Sequence, residues 1–256
     1  MRYLPFFPAL TIFLLASGCT KPEPDELIEP GPTQVMFSDR VTDLGGQPVE
    51  GVVLSLWTSN SNYQTETDGN GKYHLILEED LFPRSGEIAM TLYKSGYEVQ
   101  PLIYATPLTT GTTYRSGGPA LASCQSCLEV TTPWGDAYEL FHLGDGSYQG
   151  SANSQFQKGT DSEWGIEFAF FTASAQPLEI AFMAKGIQFS CNANTINLNG
   201  ATGSIDPSPE DGSYQQYRFT GHSQAGENSV TLITSTTCNG TDRDDWEFVG
   251  FTVKGL

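Results

Sequence analysis

Basic residues are scarce in this sequence. Lys and Arg number 12 against 30 Asp and Glu, so the formal net charge at pH 7 is -18. Nucleic acids bind to basic surfaces, and this charge balance therefore argues against a nucleic-acid partner. Long stretches with apolar residues at helical spacing are missing too, which argues against a helical fold.

Catalytic motifs are also lacking. The sequence has neither a metalloprotease helix motif nor a phosphate-binding glycine-rich loop. Gly221-His222-Ser223-Gln224-Ala225 approaches the Gly-x-Ser-x-Gly nucleophile motif, but alanine replaces the second glycine and no later histidine completes a triad. We therefore expect no catalytic residues and no enzyme activity. The less favoured alternative is a glycosidase that uses two carboxylates from the set Glu163, Glu167, Asp242 and Asp245.

An apolar leader opens the chain. Met1-Arg2 is followed by an apolar run from Leu4 to Leu15 and then by Ala16-Ser17-Gly18-Cys19. This order is typical of a secretory signal peptide, and the run is too short for a permanent membrane helix. The cysteine after Ser-Gly resembles the lipobox of bacterial lipoproteins, which implies cleavage after residue 18 and lipidation of Cys19. The alternative is an ordinary signal peptide with an incidental cysteine.

Residues 19–34 are rich in proline and acidic side chains. Alternating prolines keep the backbone extended, and the negative charges keep it solvated, so this segment is predicted to be a tether. An acidic stretch after the lipidated cysteine looks like the surface-export signal of some Gram-negative lipoproteins. The resemblance implies a protein anchored in the outer membrane and exposed on the cell surface.

Turn signals separate short alternating runs about every eight to twelve residues, which predicts an all-β chain. Three motifs carry a further resemblance: Asp43-x-x-Gly46-x-Pro48-Val49-x-Gly51-Val52, Thr67-Asp68-x-x-Gly71-x-Tyr73 and Lys94-x-Gly96-Tyr97. Together they resemble the carboxypeptidase regulatory-like domain, although Asp39 stands where that family often has glycine. The resemblance implies a transthyretin-like Greek-key sandwich over residues 35–104, serving as a rigid accessory module.

A second sandwich is predicted over residues 124–256, after a linker at residues 105–123 that is rich in Thr, Gly, Ser and Pro. Its strands alternate apolar and polar residues, as in Trp164, Ile166, Phe168 and Phe170, and the pattern suggests a jelly-roll-like sandwich. In an exported chain its four cysteines favour structural disulfides, with three connectivities possible. These residues are Cys124, Cys127, Cys191 and Cys238.

Binding is the favoured function. Aromatic faces can stack on sugar rings, and the candidate ligand contacts are Trp134, Tyr148, Trp164 and Trp246. Acidic loops can hold calcium, and the candidate ligands are Asp242, Asp244 and Asp245; no other cofactor is expected. The alternative for each residue is a core aromatic or a solvated turn acid.

We therefore expect a lipid-anchored, non-catalytic binding or accessory module. Its expected partners are the membrane, through Cys19, and a glycan or an envelope protein. The alternative function is a structural or assembly lipoprotein that supports an outer-membrane complex without a small ligand.

Overall fold

The computed structural model describes residues 28–57, 62–133, 135–144, 161–162, 164–188, 192–209, 212–236 and 243–256. Within these ranges the chain forms β-strands and one 3-10 turn over Glu79–Leu81, so the predicted all-β class is confirmed. The described ranges contain no helix with the length and hydropathy that a membrane crossing needs.

The first sandwich packs two sheets and a short strand pair around one core. Its strands are β1 (Gln34–Arg40), β2 (Thr42–Asp43), β3 (Val53–Trp57), β4 (Asn62–Glu66), β5 (Lys72–Glu78), β6 (Gly86–Tyr93), β7 (Gln100–Thr106), β8 (Thr112–Tyr114) and β9 (Ala120–Leu121). The sheets have the orders β5-β1-β8 and β4-β3-β6-β7, and β2 pairs with β9. In β5, Tyr73, Leu75 and Leu77 are buried while the residues between them face solvent, as the alternation predicts.

The predicted linker at residues 105–123 belongs to the first sandwich instead. Strand β8 pairs in parallel with β1, and β9 pairs in parallel with β2. The ring of Tyr114 lies 5.7 Å from that of Phe37, while Leu108 and Leu121 are buried in the same core. Strand β8 lies at a sheet edge and is held by backbone hydrogen bonds, for which Thr is well suited. Its polar composition resembles that of a linker, so the sequence did not reveal this strand.

The second sandwich encloses a larger core between two sheets. Its strands are β10 (Val130–Thr132), β11 (Gly135–Asp136), β12 (Leu140–Leu143), β13 (Asp161–Ser162), β14 (Gly165–Thr172), β15 (Pro177–Lys185), β16 (Asn194–Leu198), β17 (Ala201–Ile205), β18 (Gln215–His222), β19 (Gly226–Ile233) and β20 (Trp246–Gly255). The sheet orders are β11-β10-β14-β19-β16-β17 and β13-β12-β20-β15-β18. Inward side chains of both sheets, such as Phe168 and Phe182, meet in one core.

Candidate functional site

The four aromatic residues predicted to bind ligand lie in different environments. Trp164 is 63% exposed, whereas Trp246 is fully buried. Trp134 and Tyr148 lie outside the described residues. The prediction for Trp246 is wrong because this residue opens the central strand β20 and its ring packs 5.4 Å from that of Phe248, where a soluble ligand cannot reach it.

Trp164 is exposed because strand β14 begins one residue after it. At Gly165 the chain passes so close to β19 that a side-chain Cβ would lie 2.5 Å from the carbonyl oxygen of Leu232. The pairing of β14 with β19 begins at Gly165, so Trp164 lies just outside the paired strands. Its backbone carbonyl still accepts a hydrogen bond from the N–H of Thr234 at 3.2 Å. The Arg243 guanidinium covers one face of the indole, 3.1 Å from the ring centroid, and Arg243 itself is buried. Since Trp164 is largely exposed despite this cover, its other face is in contact with solvent.

A buried polar network supports this end of the sandwich. The Asp244 carboxylate is 5% exposed and accepts a hydrogen bond from the N–H of Gln188 at 3.0 Å and another from the side-chain amide of Asn194. The other end of the Asn194 amide accepts a bond from the N–H of Ser235 at 2.8 Å. The network holds the segment that carries Arg243, and Thr234, the neighbour of Ser235, donates to the Trp164 carbonyl.

The three predicted calcium ligands lie in different environments. The carboxylate of Asp244 is buried and accepts the hydrogen bonds described above. Asp245 is half-buried against Gly144, and Asp242 lies outside the described residues. Within the described ranges, no three His, Cys, Asp or Glu side chains come together as a metal site. Calcium binding in this region stays a prediction.

The two described carboxylates of the glycosidase alternative belong to different sheets. Glu167 is exposed on β14 of the six-stranded sheet, whereas Asp245 precedes β20 of the five-stranded sheet. Glu163 and Asp242 lie outside the described residues. The absence of catalytic function stays a prediction.

Cys124 and Cys127 are joined by a disulfide. Cys191 and Cys238 lie outside the described residues. The disulfide segment, residues 124–127, runs between the two sandwiches. The N–H of Cys124 donates to the carbonyl of Gly96 at 2.8 Å, and Cys127 forms a β-bridge with Lys254. It therefore fixes how the first sandwich meets the second.

A cleft of about 510 Å³ opens beside this segment, between the two sandwiches. We name it the junction cleft and define it by six of its lining residues, which are Tyr93, Tyr97 and Val99 from the first sandwich and Glu129, Asp136 and Tyr138 from the second. None of these residues was predicted to bind ligand. The sequence signal that bears on them is Trp134-Gly135-Asp136, whose pattern is typical of a loop; in the structure Gly135 and Asp136 form β11 and are exposed.

Two tyrosines from opposite sandwiches stack in the junction cleft. The rings of Tyr93 and Tyr138 are 4.2 Å apart and inclined by only 10°. The Tyr138 hydroxyl donates a hydrogen bond of 2.9 Å to the Asp136 carboxylate. Burial, followed by that hydrogen bond, raises the pKa of Tyr138; burial, followed by the charges of Glu129 and Asp136, raises that of Tyr93. Both phenols are therefore neutral at physiological pH.

No protein-family profile matches the chain, and no curated protein matches it significantly. Solved β-sandwich structures are similar to it. The family 35 carbohydrate-binding module of Cellvibrio japonicus Abf62 is 16% identical, with a TM-score of 0.29, and the match covers 49% of this chain and 96% of that chain. A family 35 module from Clostridium thermocellum is 12% identical over 50% of this chain and 98% of that chain, with a TM-score of 0.30.

A similarity to a pilin extends further along the sequence. BcpA, the major pilin subunit of Bacillus cereus, is 11% identical, with a TM-score of 0.26, and the match covers 84% of this chain and 68% of that chain.

Proposed function

We propose that this protein is a lipid-anchored, surface-exposed module that binds carbohydrate without transforming it. The observation that carries the binding part is Trp164, an indole with one face braced by Arg243 and the other open to water. An apolar aromatic face of this kind can stack on the C–H face of a sugar ring. The motif at Cys19 and the acidic segment behind it support the anchored part.

The bracing by Arg243 favours binding in two ways. The guanidinium and the buried network around Asp244 fix the indole, so little side-chain freedom is lost when a ligand stacks on it. The indole N–H and nearby polar groups can bond to sugar hydroxyls while the ring supplies apolar area.

A glycan-array screen tests the binding. The soluble chain from Thr20 to Leu256 would be screened with calcium and with EDTA, as wild type and as Trp164→Ala. We expect one or more glycans to bind, and Trp164→Ala to weaken them about tenfold or more because the stacking surface is lost. Phe171→Ala is the matched control, since Phe171 is 64% exposed and lies near the far end of β14, the strand that Trp164 precedes. Equal binding by wild type and Trp164→Ala would remove Trp164 from the proposal.

Detergent phase partition tests the anchor. Wild type is expected in the detergent phase because two or three acyl chains on one cysteine hold a protein firmly. Cys19→Ala should move to the aqueous phase, whereas the double variant Cys124→Ala/Cys127→Ala should stay with detergent. Retention of Cys19→Ala in the detergent phase would show that a feature other than Cys19 attaches the protein to the membrane.

A further inference from the structure

The junction cleft has the position and size of a ligand site. Small-molecule sites form preferentially at domain interfaces and have volumes of about 300–1,000 Å³. The junction cleft lies between the sandwiches and measures about 510 Å³. It is separate from Trp164, which precedes β14 and is not among the residues that line the cleft.

Its lining combines apolar surface with hydrogen-bond acceptors. Tyr93, Tyr97 and Tyr138 supply aromatic surface, and the buried side chains of Phe251 and Val253 also line the cleft. Asp136 and Glu129 are exposed and acidic. Carboxylates accept hydrogen bonds from hydroxyl groups, and aromatic rings accept the apolar faces of sugars, so the lining suits a polyhydroxylated ring.

Charge narrows the class of ligand. The described lining contains two carboxylates and no Lys, Arg or His. An acidic ligand, such as a uronic-acid sugar, would be repelled by Asp136 and Glu129 without any cation to neutralise it. A neutral sugar meets no such repulsion.

The junction is fixed before any ligand arrives. The disulfide segment bonds to Gly96 on one side, and the N–H of Leu128 donates to the carbonyl of Val253 at 2.9 Å on the other. The stacked pair Tyr93 and Tyr138 spans the same junction. A cleft held in this way loses little conformational freedom on binding, which favours affinity.

We propose that the junction cleft is a second binding site, specific for a short neutral saccharide. This inference does not rest on Trp164 or on the membrane anchor. The tyrosines provide the stacking surface, Asp136 and Glu129 accept hydroxyl hydrogen bonds, and their negative charge excludes acidic sugars.

Calorimetric titration of the soluble chain tests the proposal with four neutral trisaccharides: cellotriose, xylotriose, mannotriose and maltotriose. Trigalacturonate is the acidic comparison. We expect at least one neutral trisaccharide to bind, and trigalacturonate to bind at least about tenfold more weakly. Failure of all four neutral trisaccharides, or equally tight binding of trigalacturonate, would overturn the proposal.

Two variants locate the binding. Ser95 is exposed on the rim of the cleft, so Ser95→Trp should block the cleft, and Asp136→Asn should remove one charged acceptor. Each is expected to weaken the neutral trisaccharide at least about tenfold. Ser204→Trp, at an exposed serine of β17 outside the cleft, is the matched control and should bind as wild type does.

Hydrogen exchange separates the two sites. Binding in the junction cleft should protect amides in residues 93–99 and 129–138, and Trp164→Ala should retain this protection. Loss of binding in Trp164→Ala together with full binding in Ser95→Trp would overturn the proposal for the junction cleft and support the proposal for Trp164. The reverse pattern would reject Trp164 and support the cleft.

Discussion

At the residue scale, the Asp39 side chain holds a connecting loop of the first sandwich against strand β1. It occupies the position at which the resembled family often has glycine, and its carboxylate accepts hydrogen bonds from the N–H of Gly118 at 2.9 Å and from the Ser116 hydroxyl at 3.2 Å. Burial by itself would raise the pKa of Asp39, but these bonds and one from the N–H of Arg40 lower it below its usual value of 3.8. Asp39 therefore binds the connection between β8 and β9 to β1.

Asp39→Asn is expected to lower the free energy of unfolding by about 1 kcal/mol at pH 7, because charge-assisted hydrogen bonds become neutral ones. A carboxyl with a depressed folded-state pKa stabilises the fold above its unfolded pKa and loses that effect as the pH falls through the folded pKa. The difference between wild type and variant should thus be constant above about pH 5 and shrink below about pH 4. Urea unfolding at pH 7 and pH 3 measures it, and a difference that grows in acid would contradict the assignment.

Glu139 has the opposite behaviour. It is buried, and burial, followed by the charge of Asp136, raises its pKa above the usual 4.5, although the side-chain amides of Asn62 and Gln64 donate to it at 3.1 and 3.2 Å. The folded state then holds this proton to higher pH than the unfolded state, so stability falls as the pH rises through that interval.

Glu139→Gln should accordingly be more stable than wild type at pH 7, because the neutral amide keeps an oxygen for the same donors. The advantage should vanish as the pH approaches 4. Paired thermal melts at the two pH values test this, with Glu66→Gln, at an exposed site on β4, as the control. A lower melting temperature for Glu139→Gln at pH 7 would show that the charge itself stabilises the junction.

At the scale of elements, the turn at residues 67–71 illustrates what local sequence dictates. The Asp68 carboxylate accepts hydrogen bonds from the N–H groups of Asn70 and Lys72, both at 2.8 Å. Gly71 then adopts a φ of +75°, and a Cβ there would collide with the carbonyl oxygen of Val41. Asp68 is thus required by the turn, and Gly71 is required by its left-handed backbone and by the close approach of Val41.

Gly71→Ala should destabilise the protein by about 2 kcal/mol or more, since the left-handed backbone and the collision both oppose a side chain. Gly69→Ala is the control because a Cβ at Gly69 meets no atom within 4 Å and its φ is not left-handed. Chemical denaturation of both variants provides the measurement. Equal stability of the two would mean that the turn relaxes freely.

Alternation predicted the long buried strands, such as β5, β14 and β15, because a strand between core and solvent imposes a period of two. Alternation did not predict the features that are set by backbone pairing or by the position of a strand in its sheet. Strand β8 is held by backbone pairing at an edge, and Trp246 lies in a central strand, so neither reveals its position by composition. Trp164 was among the predicted ligand contacts, but its contact with Arg243 was not predicted, since a cation–π pair between residues distant in sequence leaves no local pattern.

At the scale of the whole molecule, a buried ion pair of the second sandwich lies where that sandwich meets the first. Lys185 and Glu247 lie 3.0 Å apart across β15 and β20, and both are buried. Lys185 also donates to the backbone carbonyl of Glu87 in β6 of the first sandwich, and the side chain of Glu87 accepts a bond from the N–H of Tyr214 at 2.8 Å. Lys185 and Glu87 are 98 residues apart, so the junction could not be predicted from local sequence.

Lys185→Met should cost about 3–5 kcal/mol because it leaves the Glu247 carboxylate buried without its cation. The double variant Lys185→Met/Glu247→Leu should recover much of that loss, since neither charge remains to be desolvated. Denaturant titrations of the three proteins provide the test. A cost below about 1 kcal/mol for the single variant would indicate that water reaches the pair.

The place of β1 in its sheet has a mechanical consequence. Under the proposed function, a bound glycan and a lipid on Cys19 would pull on the chain in opposite directions, and the force would enter the first sandwich at Gln34. Strand β1 lies between β5 and β8 and is bonded along both edges, antiparallel to one and parallel to the other. Such a strand cannot be unzipped one bond at a time from a free edge, so we expect this sandwich to withstand tension as a rigid mount between membrane and cargo.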